Sequence, residues 1–291
     1  LAVRRGSSGF APAALERTGY RDAMKRVGVF GAAGRMGAAV CAAVLSASDL
    51  ELVAAVDPVA AGRPLDEVAA LRGSGLEIAA SPDSVSEAGA DVVVDFTVAT
   101  AAREHLRWCA DRGVHVVCGT TGFDETDLKA MRSWFSGQAH AVVAANFSIG
   151  AALMMRCAEL CAPLAGGAEV VELHHDRKRD APSGTALETI RRMQASRDAA
   201  GAGDWAADPT ERELVSGARG GRADGGVHVH SVRLPGLVAH QEVIFGLQGE
   251  TLLIRHDSLD RASYMPGVLL AVRRVADLEG LTIGIGDLLE L

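Results

Sequence analysis

Val27-Gly28-Val29-Phe30-Gly31-Ala32-Ala33-Gly34-Arg35-Met36-Gly37, with Asp57 twenty residues further on, decides the fold of this chain. Val27–Phe30 reads as a short buried strand, Ala38–Ala47 as an Ala- and Val-rich helix, and Leu50–Val56 as a second strand ending at Asp57-Pro58. Strand, glycine turn, helix and a strand ending in an acid make the first half of a Rossmann unit. Glycines let the backbone approach a pyrophosphate, and the helix start offers unpaired N–H groups and a positive dipole end. The spacing Gly31-x-x-Gly34-x-x-Gly37 departs from the strict G-x-G-x-x-G and, taken alone, also suits a ligand-free turn. Asp57 and the strands that follow favour a nucleotide. Arg35 suits a 2′-phosphate, whereas Asp57 suits ribose hydroxyls and repels that phosphate, so NADH and NADPH both stay open.

Further apolar runs extend the same sheet. Val92–Phe96 ends in Asp95-Phe96-Thr97, Val114–Cys118 ends in Gly119-Thr120-Thr121-Gly122, and Ala141–Ala145 ends in Asn146-Phe147-Ser148. Ala101–Arg112 reads as the helix between the first two. Ligands of open α/β sheets bind beyond the carboxyl ends of the strands, so these endings are expected along one edge. The Gly119–Gly122 turn offers hydroxyls to a nicotinamide carboxamide, or is an ordinary strand end. Cys118 beside it raises the alternative of a thiol nucleophile, as in a semialdehyde dehydrogenase, although no adjacent charge lowers its pKa.

After Gly150 the pattern changes. Ala151–Cys161 and Gly184–Ser196 read as helices, Glu169–His174 as a strand, and residues 198–226 as a long Gly-, Ala- and Asp-rich loop. Val227–Leu234, Gln241–Leu247 and Thr251–His256 alternate apolar with polar residues, which predicts a second sheet open on one face. Met265–Ala276 reads as a final helix, placed to return to the first sheet.

Composition bounds the partners. The chain has 291 residues, 48% hydrophobic and 23% charged, which fits a globular protein of two domains or one large one. A formal charge of −8 argues against nucleic acid or an anionic membrane as partner. Residues 1–26 carry six Lys/Arg against two Asp/Glu, a net of +4 that leaves −12 for the remainder. Cys41, Cys109, Cys118, Cys157 and Cys161 form no CxxC pair, and their odd number points to reduced thiols in a cytoplasmic protein. The longest run without formal charge, Ser133–Met155, holds Gln138, His140 and Asn146, so no membrane span is expected. Residues 1–24 are Arg-, Ala- and Ser-rich without a continuous apolar core, and are expected to form a disordered extension without function. Met24 resembles a natural start.

Against that acidic background, His174-His175-Asp176-Arg177-Lys178-Arg179-Asp180-Ala181-Pro182-Ser183-Gly184-Thr185-Ala186 concentrates imidazole, cation and a helix start. It suits a small anionic substrate. Strand neighbours point to opposite faces, so His174 and His175 are not expected to share one metal ion, and no metal is expected. One imidazole is assigned to acid or orienting work and the other to hydrogen bonding. Lys178 is the cation assigned to chemistry, with Arg177 and Arg179 read as solvated or oligomer-facing. Ser183 is a plausible N-cap, and the N–H groups that follow, with the Ser183 and Thr185 hydroxyls, suit a carboxylate. Arg233 and His240, flanking Pro235-Gly236, are further candidates for substrate contact.

Taken together, Gly31–Gly37, Asp95–Thr97, Gly119–Phe123, Ala145–Ser148 and His174–Ala186 resemble the 4-hydroxy-tetrahydrodipicolinate (dihydrodipicolinate) reductase family, in order from about Val27 to Leu291. The resemblance implies an α/β fold with an N-terminal Rossmann dinucleotide-binding domain over 25–146 plus 257–291. It also implies a smaller α+β domain with an open mixed sheet over 147–256, for substrate binding and tetramerisation. It implies a cytoplasmic homotetramer that uses NADH and/or NADPH, with a small dicarboxylate as substrate. Carried over by position, Gly31, Ala32, Ala33, Gly34, Arg35, Met36, Asp57, Gly119, Thr120, Thr121, Ala144, Ala145, Asn146 and Phe147 would contact the nucleotide. His174 would be the acid/base and Lys178 the proton donor, while His175, Gly184 and Thr185 would hold the dicarboxylate. Arg177 stands where the family often has His, and the late Gly-x-x-Gly reads Gly236-Leu237-Val238-Ala239. Two other readings remain: a different two-domain Rossmann oxidoreductase, such as a semialdehyde or homoserine dehydrogenase, and a nucleotide-sensing regulator without turnover.

Overall fold

Short Val- and Ala-rich runs, buried on both faces, build a six-stranded all-parallel sheet. The computed structural model describes residues 24–289, so the extension expected over 1–24 lies, apart from Met24, outside the described residues. The first part of the chain runs β1 (Lys25–Phe30), α1 (Arg35–Ser46), β2 (Leu50–Val56), α2 (Leu65–Val68), α3 (Asp83–Glu87) and β3 (Val92–Asp95). It continues through α4 (Ala99–Arg112), β4 (His115–Cys118), α5 (Glu125–Trp134) and β5 (Ala141–Val143). The second part comprises α6 (Ile149–Cys161), β6 (Gly167–His174), α7 (Gly184–Ala200), β7 (Gly221–Arg222), β8 (His228–Arg233), β9 (Ala239–Leu247) and β10 (Glu250–Ser258). The chain then returns through α8 (Met265–Arg274) to β11 (Leu281–Ile283).

The parallel sheet has the order β2-β1-β3-β4-β5-β11. From β1 the chain steps outward to β2, then crosses back to β3 on the other side. That reversal places a crevice at the carboxyl ends of β1 and β3, the usual ligand position in such sheets. Helices cover both faces. Val27, Val29, Val94 and Val142 share a core with Val40 and Val44 of α1 and Val268 and Val272 of α8. On the opposite face Phe30, Val93 and Val116 pack with Leu106 of α4 and Met131 of α5. The final helix thus returns to the first sheet, as its sequence position suggested.

The second sheet has the order β10-β9-β6-β8-β7 and is mixed: β6 and β8 are parallel and the other pairs antiparallel. One face is covered, with Val170, Val229, Val243 and Phe245 packed on Ala158 of α6 and Ile190 and Met193 of α7. The sheet is open at its β10 edge, where Leu252 and Leu253 are exposed. Among the described residues no helix is long and apolar enough to cross a membrane.

Several boundaries moved. Helix α1 starts at Arg35 rather than Ala38, because Gly34 is its N-cap, and Arg35 and Met36 therefore lie in the first turn. Strand β5 stops at Val143, so Ala144 and Ala145 belong to the loop beyond it. Helix α7 runs on to Ala200, ended by Gly201 in the left-handed conformation at φ 64°.

Candidate active site

The glycine turn is held from below. Gly31, at φ 73°, and Ala32 donate their N–H groups to the Val56 carbonyl at 2.8 and 3.2 Å. Gly34 caps α1 without a side chain, leaving the first-turn N–H groups free of intrahelical partners. Gly37 is needed for contact: a Cβ there would lie 2.0 Å from the Gly31 carbonyl oxygen. Asp57 accepts from the Ala33 N–H at 3.2 Å and from the Val59 N–H at 3.1 Å, which fixes its carboxylate beside the turn. Arg35, in the first turn of α1, is exposed. This cradle fits a dinucleotide: open N–H groups for a pyrophosphate, and an acid positioned for a ribose.

Beyond β3 and β4 the buried Asp95 organises both strand ends. One of its oxygens accepts from the Thr97 N–H (2.8 Å), the Thr97 hydroxyl (2.7 Å) and the Thr120 hydroxyl (3.2 Å), while the other meets His105 Nδ1 at 2.8 Å. Of the two threonine hydroxyls offered to a carboxamide, Thr120 is therefore already engaged, and Thr121 faces the cleft. Gly119 lies flat against Phe96, whose ring would be 1.9 Å from an added Cβ. Burial pushes the Cys118 thiol up, and Asp95 pushes it further. A buried thiol beside a carboxylate is no nucleophile, which corrects the semialdehyde-dehydrogenase alternative.

A cleft of about 540 Å³ joins the end of the parallel sheet to the second sheet. Thr121, Ala145 and Asn146 line it from one side, and His174, His175, Lys178, Ser183, Gly184 and Thr185 from the other. Asn146 bridges the two groups, its Nδ2 donating to Thr185 Oγ1 at 3.4 Å. Gly31, Ala32, Ala33, Gly34, Arg35, Met36, Asp57, Gly119 and Thr120 lie outside this lining, as do Ala144 and Phe147, both buried. Phe147 instead packs on Phe96, with ring centroids 5.9 Å apart, and its carbonyl oxygen would lie 2.0 Å from a Cβ on Gly267 of α8.

Both imidazoles face this cleft, contrary to the opposite-face expectation, because β6 ends at His174 and His175 already lies in the turn. His174 Nδ1 sits 2.5 Å from Glu172 Oε2. Burial lowers the His174 pKa below its ordinary 6.5; Glu172 opposes this, and Lys178 and Arg233 reinforce it. His175 Nδ1 accepts the Arg177 N–H at 3.2 Å, which leaves Nε2–H as its donor when neutral. Lys178 Nζ is paired with both Asp180 oxygens at 2.9 and 2.7 Å. Ser183 caps α7, its hydroxyl accepting the Ala186 N–H at 3.2 Å, so that group is structural before it is a ligand contact.

The structure separates the two further candidates, Arg233 and His240, and adds His256. Arg233 does not line the cleft; it grips Glu172 and the Asp180 carbonyl. His240 does line it, with Nδ1 2.7 Å from Asp257. His256 Nε2 lies 3.0 Å from the Ser148 hydroxyl, and its pKa is lowered mainly by burial. Across β9–β10, His240 is paired with Asp257 and His256 with Gln241, and no local motif marks His256. Among the described residues no group of three or more His, Cys, Asp or Glu could hold a metal ion.

Known proteins bear the same pattern. The family profile described as "Dihydrodipicolinate reductase, N-terminus" matches residues 25–147, and its C-terminus counterpart matches 150–289. A protein of Cutibacterium acnes named 4-hydroxy-tetrahydrodipicolinate reductase is 49% identical over 92% of this chain and 100% of its own length. One of the same name from Nocardia farcinica is 48% identical over 91% of this chain and 99% of its own. Among solved structures, the dipicolinate-bound dihydrodipicolinate reductase of Paenisporosarcina sp. TG-14 superposes with a TM-score of 0.79. It is 35% identical and covers 91% of this chain and 99% of that one. An NAD complex of GenD2, at 15% identity and a TM-score of 0.64, shares the fold alone.

Proposed function

The chain belongs to the dihydrodipicolinate reductase family, and from that premise we propose how its residues carry out the family's reaction. It is an NADH- or NADPH-dependent reductase of 4-hydroxy-tetrahydrodipicolinate, forming tetrahydrodipicolinate with loss of water on the route to diaminopimelate and lysine. The observation that carries the site assignment is one cleft in which strand-end residues for a nicotinamide meet a cationic helix start. We assign residues 25–146 with 257–291 to the nucleotide domain and 147–256 to the substrate and tetramerisation domain. We further propose a homotetramer working in the cytoplasm.

Loss of the 4-hydroxyl with a C3 hydrogen, as water, gives the cyclic conjugated imine; a nicotinamide held here would supply hydride to its C4, and the enamine carbon C3 would then take up one proton. The protein's task is to hold the dianion and move protons. In our reading the N–H groups of Gly184 and Thr185 at the start of α7, the Thr185 hydroxyl and His175 receive the carboxylates. Ser183 supports them as the cap. Lys178 exchanges Asp180 for the substrate, offsets its charge and delivers the proton, while His174 serves as acid/base. Gly31–Met36 and Asp57 take the pyrophosphate and adenine ribose, and Gly119–Thr121 with Ala144–Phe147 surround the nicotinamide end. Closure of the two sheets' cleft would exclude water from the reacting carbon. The direct test is turnover of freshly prepared 4-hydroxy-tetrahydrodipicolinate with each nucleotide, followed by loss of reduced-nucleotide absorbance. Binding of both nucleotides without turnover would favour the regulator reading.

Two outcomes follow from the geometry. Asp57→Ala removes the acceptor for ribose hydroxyls and the repulsion of a 2′-phosphate, so the dissociation constant should rise more for NADH than for NADPH. Equal changes for the two would remove Asp57 from ribose recognition. Burial holds the His174 pKa below its ordinary value, which favours the neutral ring. A bound dicarboxylate stabilises the imidazolium and raises that pKa, so binding takes up a proton and strengthens as pH falls through the pKa of the complex. Calorimetry of pyridine-2,6-dicarboxylate in buffers of different ionisation enthalpy reads this directly. Proton release, or none, would show that the dianion does not act on His174.

A further inference from the structure

We propose that Glu172 is a positioning residue of the active site, a single carboxylate that fixes the tautomer of His174 and ties it to the start of α7 and the end of β8. The inference rests on the acid/base role given to His174 above and adds to it the group that makes that role possible.

Residues 170, 172 and 174 of β6 share the face that packs under α7, because side chains alternate along a strand. Val170 on this row belongs to the core, yet Glu172 is a carboxylate with 0% exposure. A buried carboxylate persists only when its lone pairs are filled. Here four bonds fill them. Arg233 donates from Nη1 to Oε2 and from Nη2 to Oε1, both at 2.8 Å, in a bidentate fork. The Ser183 N–H, at the N-cap of α7, donates to Oε1 at 3.2 Å. His174 Nδ1 completes the set at 2.5 Å from Oε2. Burial raises the Glu172 pKa, but Arg233, Ser231 and His174 outweigh it and hold the group below its ordinary value.

An ionised carboxylate only accepts hydrogen bonds, so the proton of neutral His174 must reside on Nδ1. Nε2 is then the nitrogen left for the cleft: an acceptor when the ring is neutral and a donor once it is protonated. The same carboxylate reaches Lys178 at second hand, since Arg233 Nη2 also donates to the Asp180 carbonyl at 2.7 Å and the Asp180 side chain holds Lys178. A purely structural Glu172–Arg233 pair would need neither the short contact to His174 nor the bond to the helix cap.

The test is imidazole ¹⁵N NMR of the full-length protein at mildly alkaline pH, with the His174 signals assigned by their loss in His174→Gln. The wild-type protein, without any variant, should show His174 protonated on Nδ1. In Glu172→Gln the tautomer should shift toward Nε2–H, and kcat should fall by about 10- to 100-fold with nucleotide affinity unchanged. Wild-type His174 protonated on Nε2 would overturn the proposal. So would a Glu172→Gln protein whose tautomer is unaltered although kcat falls, since that marks a merely structural role. Retained turnover in His174→Gln would instead fault the acid/base assignment and leave the tautomer result standing.

Discussion

Lys178→Ala is expected to lower kcat by about 10²–10⁴-fold, the scale of a lost general acid. The argument starts from charge. The substrate is a dianion, and the chain itself carries −8, so the cleft must supply local positive charge. The helix start at Gly184 contributes a dipole and N–H groups, but neither can give up a proton to the ring. Lys178 can, and its ammonium lies within the cleft, held 2.7 Å from Asp180 Oδ2. A carboxylate of the substrate replaces Asp180 as its partner, and the developing charge on the ring strengthens that interaction in the transition state. A thousandfold loss corresponds to about 4 kcal/mol of transition-state stabilisation. Nucleotide affinity should not change, because Lys178 lies on the substrate side. Lys178→Arg should fail to restore kcat, since a guanidinium does not release its proton. Steady-state rates over a range of nucleotide concentrations measure all three effects, and a Lys178→Ala enzyme within tenfold of wild type would exclude Lys178 from the chemistry.

The parallel sheet was legible because its strands are apolar runs punctuated at their carboxyl ends by Gly, Asp or Asn, and β2 falls within the run Leu50–Val56 as read. Shorter elements lacked such a signal. Strand β11 has three residues, too few for any period, and exists because β5 offers it a parallel edge. Helix α5 carries a local mark, the reciprocal capping box of Asp124 and Asp127. The loop chemistry of the site was legible as a cluster, since His174–Ala186 is contiguous. Its supports were not, because Arg233 comes from a strand 61 residues away from Glu172. Glu172 itself hides in an ordinary alternation, where a polar residue reads as the solvent face. Only its shared row with Val170 and His174, at period two, hints that it points inward. The expectation that His174 and His175 face apart failed for a related reason: alternation applies within a strand, and β6 ends between them.

Gly37→Ala should remove nucleotide binding while leaving the substrate side assembled. The added Cβ would stand 2.0 Å from the Gly31 oxygen, 2.7 Å from its carbonyl carbon and 2.9 Å from Ala32 Cα. These are backbone atoms, so no rotamer change relieves the overlap. The Gly31 carbonyl cannot retreat freely, because it accepts the Gly34 N–H at 2.9 Å and its own N–H is bonded to Val56 at 2.8 Å. Either the turn opens or α1 slides away from β1, and both dismantle the cradle of N–H groups. The cost of such overpacking is about 1–3 kcal/mol, so the variant should fold with a lowered Tm. Gly34→Ala is the control: its Cβ would be 3.1 Å from the same oxygen, a strain of a few tenths of an ångström, and should weaken NADH far less. Thermal melts with and without NADH separate stability from binding, because a ligand raises Tm only in proportion to ln(1 + [L]/Kd). Wild type and Gly34→Ala should gain stability from NADH, and Gly37→Ala should gain none. Pyridine-2,6-dicarboxylate, held from α7 and β6, should still bind the Gly37→Ala protein; a Gly37→Ala protein that gains as much as wild type from NADH would show that the close Gly31–Gly37 contact is not what shapes the nucleotide site.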